Sequence, residues 1–146
     1  MIEVKIAFYK GRKRLADRLI QWWTNSEYSH CEIVIDGVWY SASLRNKGVR
    51  AKWCNPKKGN WDYVVIQCTD EEVDKIIGRF TNEMYKGYDI LGLVMTQVIA
   101  LGVDAKNKWF CSEICTQALM DAGIILGGKD SAWYSPERLY KELVSN

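Results

Sequence analysis

Histidine is nearly absent from this sequence, with one among 146 residues, and no uninterrupted apolar run is long enough to span a bilayer. The most apolar stretch covers residues 90–103 and is interrupted by Thr96 and Gln97. A transmembrane helix needs about 20 predominantly apolar residues. We therefore expect no transmembrane segment, and we interpret residues 90–103 as a buried helix.

Signatures of cofactor binding are also missing. One histidine and five dispersed cysteines do not supply a zinc site of recognisable spacing. No glycine-rich phosphate loop follows a predicted strand. There is no recognition-helix, zinc-finger or RNP-type motif for nucleic acid. The sequence therefore predicts no cofactor and no metal.

The five cysteines, an odd number, follow no disulfide framework. Residues 1–8 begin directly with a strand-like alternation, so we expect no signal peptide. Both features favour free thiols in a reducing cytoplasm. The length and the ordinary balance of 48% hydrophobic and 26% charged residues predict one globular domain over residues 1–146. Seven Trp and eight Tyr exceed what a core needs, so some of them are expected to line a cleft or an interface.

Positive charge is concentrated in residues 1–60, with twelve Lys/Arg against five Asp/Glu, whereas residues 61–146 have eight against thirteen. The segment Arg45–Lys58 holds six of the basic residues together with Trp53. Such a segment fits an anionic membrane surface, and basic residues interleaved with tryptophan also occur in single-strand nucleic-acid binders. A solvated surface without a partner is the other interpretation of the same charges.

Periodicity and turn residues divide the chain into predicted elements. They are a strand over Glu3–Tyr9, a helix over Lys13–Thr24, a hairpin of His30–Ile35 and Val38–Ser43, a loop over Arg45–Asn60, a strand over Trp61–Cys68, a helix capped by Asp70, an apolar helix from about Asp89, a helix from about Cys111 to Gly123, and a last helix opened by Ser135 and Pro136. The Asp36-Gly37 pair is the strongest local signal, because a tight hairpin turn needs positive φ at both central residues. The predicted fold class is α+β.

Two side chains are candidates for catalysis. His30 opens a predicted strand, and strand ends next to loops often present functional groups, although a lone histidine is more often structural. Cys111 is predicted at a helix N-terminus, where the macrodipole and unpaired N–H groups lower the pKa of a thiol and stabilise an oxyanion. A neighbouring imidazole could hold such a thiolate as an ion pair. Cys115, one turn later, is expected to be buried packing.

Several motifs together resemble a known family. They are Ser29-His30-Cys31-Glu32-Ile33-Val34, then Gly48-Val49-Arg50, Tyr88-Asp89 and Phe110-Cys111-Ser112-Glu113-Ile114. The set is similar to the circularly permuted NlpC/P60 group of papain-like proteins, which includes bacterial YiiX-like cysteine hydrolases and the lecithin retinol acyltransferase relatives. In that group the histidine strand precedes the cysteine helix, and the same order is found here. The match in order and spacing covers most of the chain, from about residue 5 to about residue 120.

The resemblance implies a fold and an activity. The fold is an antiparallel sheet packed against helices, with the nucleophile at a helix N-terminus. Cys111 would be the nucleophile and His30 the general base of a cysteine peptidase or amidase, a thiol hydrolase that cleaves a peptide-like substrate through a thioacyl-enzyme. A bacterial or phage origin fits the same resemblance. The alternatives are hydrolysis or transfer of an acyl group on a lipid or lipoprotein, and a catalytically weak binding or host-interaction module.

The third catalytic position is left open among three residues. The family commonly has Glu where this chain has Ser41, and serine orients an imidazole only weakly. Counting across the predicted turn, Ser43 faces His30 and Ser41 faces Glu32 on one face of the hairpin. The third residue is therefore Ser41, Ser43 or Glu32.

Tyr28, Tyr88 and Ser43 are candidates for substrate binding. Tyr28 lies close to His30 in the chain, and the Tyr88-Asp89 pair precedes the apolar helix, as it does in related sequences. The alternative for the second pair is that Asp89 caps that helix and Tyr88 packs beneath it.

Overall fold

The computed structural model of the chain describes residues 1–13, 15–43, 48–55, 59–85, 106–126 and 128–145. The strands are β1 (Ile2–Tyr9), β2 (His30–Ile35), β3 (Val38–Ser43), β4 (Gly48–Trp53) and β5 (Trp61–Cys68), and the helices are α1 (Leu15–Thr24), α2 (Asp70–Tyr85), α3 (Lys106–Asp121), a short 3₁₀ turn (Ser131–Trp133) and α4 (Pro136–Ser145). The strands form one antiparallel sheet in the order β4-β3-β2-β1-β5. The predicted α+β class is confirmed.

The hairpin of β2 and β3 has the predicted turn. Asp36 and Gly37 have φ values of 48° and 79°, and Ile35 pairs with Val38 across the turn. Positive φ at both central residues matches the right-handed twist of the two strands. The turn therefore fixes the register that places the residues of β2 opposite those of β3.

One face of the sheet carries the main core. Alternate residues of β1 and β2 point to this face, and the apolar stripes of α2 and α3 cover it. Its fully buried members include Val4, Ile6, Phe8, Cys31, Ile33, Ile76, Phe80, Cys115 and Leu119. The opposite face holds a smaller cluster of Ala7, Val34 and Trp39, with Cys54 and Trp61 packed against it. By alternation, Glu32 shares this second face with Val34.

The prediction of a loop over Arg45–Asn60 is wrong for residues 48–53, which form β4. In this strand Val49 and Ala51 alternate with Arg50 and Lys52, the period-two pattern of a strand. β4 lies at one edge of the sheet, where charged residues are well tolerated because one side of the strand faces solvent. Its pairing with β3 sets Arg50 opposite Ser41.

Two helix starts are fixed by capping side chains. The cap of α2 is Thr69 and not Asp70, because Thr69 Oγ1 accepts from the N–H of Glu72 at 3.3 Å while Glu72 Oε2 accepts from the N–H of Thr69 at 2.7 Å. This reciprocal pair is a capping box. The predicted cap of α4 is confirmed, since Ser135 Oγ accepts from the N–H of Arg138 at 3.2 Å.

The end of α3 has the predicted glycine. Gly123 has φ of 79°, and its N–H donates to the carbonyl of Met120 at 2.9 Å, while the N–H of Ile124 donates to Leu119 at 2.9 Å. These two bonds form a Schellman motif, which satisfies the last carbonyls of the helix. The predicted apolar helix from about Asp89 lies outside the described residues. Within the described ranges, no helix combines the length and apolar character that crossing a bilayer requires.

Candidate functional site

The turn that precedes His30 is held in place by side chains of two helices, α1 and α4. Gln21 in α1 donates from Nε2 to the carbonyl of Glu27 at 2.9 Å. Glu137 in α4 accepts from the N–H of Glu27 at 3.1 Å. The N–H of Ser29 then donates to a carbonyl of β1 at 2.9 Å. These bonds set the position at which β2 begins, and therefore the position of the imidazole.

The ring of His30 is held at Nε2 by its own strand. Glu32 Oε1 lies 3.0 Å from Nε2, and Ser41 Oγ lies at the longer distance of 3.4 Å. Residues two apart on a strand point to the same face, which is why Glu32 reaches the ring. The hydroxyl of Ser41 also donates to the carbonyl of Cys31 at 3.0 Å. Glu32 is thus the closer partner of the imidazole.

Arg50 shares the carboxylate oxygen that faces the imidazole. Its Nη2 donates to Glu32 Oε1 at 2.8 Å, and the Glu32 side chain is only 2% exposed. The pairing of Arg50 with Ser41 across β3 and β4 brings the guanidinium over this part of the sheet. A buried carboxylate is costly unless it is paired, so Arg50 and His30 together stabilise the charge of Glu32.

Cys111 meets His30 from the helical layer. Its thiol interacts with the imidazole and with the thiol of Cys31, the residue that follows His30 on β2. Only 4% of Cys111 is exposed. Because Nε2 faces Glu32 and Ser41, Nδ1 is the ring nitrogen left to face sulfur. The two residues that the sequence singles out are therefore brought together by the fold.

The charges of this pair favour an ion pair. A hydrogen bond from the Cys31 thiol lowers the pKa of Cys111 below its ordinary value, burial opposes this change, and the charge and hydrogen bond of His30 lower the pKa further. Burial would lower the pKa of His30, but the negative charge of Cys111 and the hydrogen bonds to Cys111 and Glu32 raise it to about 10. Both shifts favour a thiolate beside an imidazolium.

Cys111 is the sixth residue of α3 and not its first, since the helix begins at Lys106. The predicted start near Cys111 is therefore wrong. Residues 106–110 contain neither Gly nor Pro, so nothing in them stops the helix from extending backwards. The N–H of a sixth residue lies within the i→i−4 bonds of the helix, and the macrodipole acts mainly in the first turn. The low pKa of Cys111 comes instead from the neighbouring side chains, and its own N–H is not a spare oxyanion donor.

The other predicted site residues are placed differently. Tyr28 is 3% exposed, and its hydroxyl donates to Asp62 Oδ2 at 2.7 Å. Burial and this hydrogen bond raise the pKa of Tyr28 above its ordinary value. Its contribution to substrate binding stays a prediction. Ser43 pairs through its backbone with Gly48 in the β3–β4 ladder. Tyr88 lies outside the described residues.

Two residues near His30 were not among the predicted site residues. Arg50 belongs to the Gly-Val-Arg motif, and the alternation of β4 was the signal that could have placed it beside Glu32. The ring of Trp61, at the start of β5, meets the imidazole edge-on with 6.3 Å between centroids. An aromatic ring in this position limits the access of water to one side of the imidazole.

Among the residues that the structure describes, no group of three or more His, Cys, Asp or Glu side chains has an arrangement that could hold a metal ion. Comparisons of the chain with protein-family models, curated proteins and solved structures gave no match.

Proposed function

We propose that the protein is a cysteine-nucleophile hydrolase that cleaves an amide bond of a peptide-like substrate through a thioacyl-enzyme. The observation that carries the proposal is the chain of contacts from Cys111 to His30, from His30 to Glu32, and from Glu32 to Arg50. A nucleophile, a base and a group that orients the base are the parts that this chemistry requires. We assign the third position to Glu32.

The proposed reaction has two halves, formation of the thioacyl-enzyme and its hydrolysis, and Cys111 and His30 act in both. The thiolate of Cys111 adds to the carbonyl carbon, and His30 gives the proton on Nδ1 to the leaving nitrogen as the C–N bond breaks. Neutral His30 then removes a proton from water while the water oxygen adds to the thioester carbon. Loss of the thiolate releases the acid and restores the ion pair. Glu32 keeps Nε2 protonated throughout, so that Nδ1 is the nitrogen that exchanges the proton.

Two further features support the proposal. The order of a histidine strand followed by a cysteine helix is that of the permuted NlpC/P60 group, and we propose that the chain is a relative of that group. The anchored turn before β2 also fixes the base in the absence of substrate, and such preorganisation favours catalysis.

Thiol reactivity provides the first test. The protein is treated with iodoacetamide at slightly acidic pH, and peptide mass spectrometry compares Cys111 with Cys54, the partly exposed cysteine after β4. We expect labelling of Cys111 to be faster by roughly tenfold or more, because an ordinary thiol is mostly protonated at slightly acidic pH. The advantage is limited because a thiolate of low pKa is a weaker nucleophile. Equally slow labelling of both thiols would overturn the proposal and favour a binding module.

Turnover provides the second test. Libraries of fluorogenic peptide amides and of acyl esters are incubated with the wild type, with Cys111→Ser and His30→Gln, and with the control Cys54→Ser. We expect amide cleavage by the wild type and the control, no cleavage by the two site variants, and a thioester adduct on Cys111 in the intact mass. Cleavage that survives Cys111→Ser contradicts the proposal, and turnover of esters alone would replace the amide assignment with acyl hydrolysis.

A further inference from the structure

Helix α1 exposes two large apolar side chains on one face. Leu15 is 73% exposed and Trp22 is 76% exposed. Arg18 lies between them and is also exposed. Positions 15, 18 and 22 follow the three- and four-residue spacing of a single helical face. Isolated exposed apolar residues are ordinary, but tryptophan and leucine exposed on one helix together with basic residues are the residue types that interfacial helices use.

More positive charge surrounds this face. Arg12 and Lys13 precede the helix and are exposed. Arg18 Nε donates to the carbonyl of Arg12 at 2.9 Å, and Arg12 Nε donates to Gln21 Oε1 at 3.0 Å. The first bond holds the Arg18 guanidinium against the segment before the helix, and the second holds the Arg12 guanidinium against Gln21 in the second turn of the helix. Arg12, Lys13 and Arg18 are therefore exposed cations in or next to α1.

Two polar side chains of α1 are engaged with the rest of the protein. Gln21 is 4% exposed and donates to the carbonyls of Gly11 and Glu27 at 3.2 and 2.9 Å. Asp17 is half-buried and accepts from the hydroxyl of Ser29 at 3.4 Å. The carboxylate of the helix is thus engaged on the side of the turn that carries the imidazole.

We propose that the surface formed by Leu15, Arg18 and Trp22, with Arg12 and Lys13, docks onto an anionic lipid membrane. We call this surface the α1 face. Its cations complement acidic headgroups, and its tryptophan and leucine enter the boundary between headgroups and acyl chains. Nucleic acid is a poorer match, because leucine has no π-face on which a base can stack. The docking is peripheral and does not depend on the proposed hydrolase.

Vesicle sedimentation with matched variants tests this docking. The full chain is mixed with vesicles of phosphatidylcholine alone or of phosphatidylcholine with phosphatidylserine. We expect binding only to the mixed vesicles, weakened by salt. Lys13→Gln should weaken it roughly fivefold, the effect of one basic residue near an anionic surface. Trp22→Ala should weaken it roughly tenfold or more, because a large apolar contact is lost. Circular dichroism confirms that each variant is folded.

Exposed residues of the same types on β4 provide the controls. Trp53 is 66% exposed and Lys52 is exposed, both away from α1. Trp53→Ala and Lys52→Gln should bind the mixed vesicles like the wild type. The proposal is overturned if these controls lose as much binding as the α1 variants, which would assign the surface to the basic segment around β4. It is also overturned if no vesicle binds, if Trp22→Ala binds normally, or if the α1 variants abolish binding of a single-stranded oligonucleotide or self-association instead.

Discussion

Replacement of Glu32 by glutamine tests the electrostatics of the site directly, because His30 is the only histidine of the chain. Its ring protons give one set of imidazole signals in an NMR titration, without any need for assignment. The substitution keeps the size of the side chain but removes the negative charge between the imidazole and Arg50. An amide oxygen in the place of Oε1 can still accept from Arg50 and from Nε2, so the substitution removes the charge while keeping these two hydrogen bonds.

The expected change in the pKa of His30 follows from the contacts of its ring. In the wild type, Cys111 and Glu32 overcome burial and raise the pKa of His30 from 6.5 to about 10. An opposite charge in contact typically changes a pKa by about 1 to 3 pH units, so Glu32→Gln should lower the pKa of His30 by that amount. Cys111→Ser should lower it further, because the charge of Cys111 is the larger of the two favourable contributions. Activity should fall in Glu32→Gln, because a neutral amide no longer stabilises the charge of the imidazolium.

Ser41→Ala is the matched control, since Ser41 is also close to Nε2 but carries no charge. The pKa of His30 in this variant should stay within a few tenths of the wild-type value. A wild-type imidazole that titrates near 6.5, or a Ser41→Ala variant that changes as much as Glu32→Gln, would refute the assignment of Glu32 as the group that orients His30.

Three further outcomes follow from described contacts. Arg50→Met should destabilise the fold by about 3 to 5 kcal/mol in urea denaturation, because it removes one partner of the buried Glu32 carboxylate, and an unchanged midpoint would contradict that pairing. The alkylation rate of Cys111 should be level through neutral pH, since its thiolate forms well below the ordinary thiol pKa. The rate should rise again as His30 loses its proton near pH 10. A single rise near pH 8.5 would mean an ordinary thiol. Gly123→Ala should cost about 1 kcal/mol in thermal or urea unfolding, because alanine is strained at a φ of 79°.

Local signals were sufficient for much of the fold. The Asp36-Gly37 turn and the Ser135-Pro136 helix start depend on neighbouring residues only, so the sequence predicts them correctly. β4 is different, because the segments that flank it are rich in glycine, lysine and asparagine and favour a loop, and its pairing with β3 completes residues 48–53 as a strand. The prediction of where α3 begins failed for a related reason, since the polar composition of residues 104–108 does not by itself exclude a helix.

The candidate site was also predictable from the sequence only in part. The meeting of His30 with Cys111 was predicted from chain order and from a family resemblance. The choice of Glu32 over Ser41 needed distances, because both residues lie on the same face of the hairpin and differ by only 0.4 Å in their approach to Nε2. For Arg50, the alternation of its segment could have indicated a strand, and the β3–β4 register then sets it opposite Ser41. The pKa of Cys111 likewise depends on Cys31, whose side chain belongs to the core by alternation alone.

The position of Arg50 on an edge strand has a consequence for the reactivity of the thiol. A strand bonded on one side opens locally at a lower free energy than the whole sheet unfolds. When β4 detaches, the guanidinium leaves Glu32, and the effect of that carboxylate on the charge of His30, and through it on the Cys111 thiolate, changes. The nucleophilicity of a sulfur on a helix is thereby linked to the opening of an edge strand.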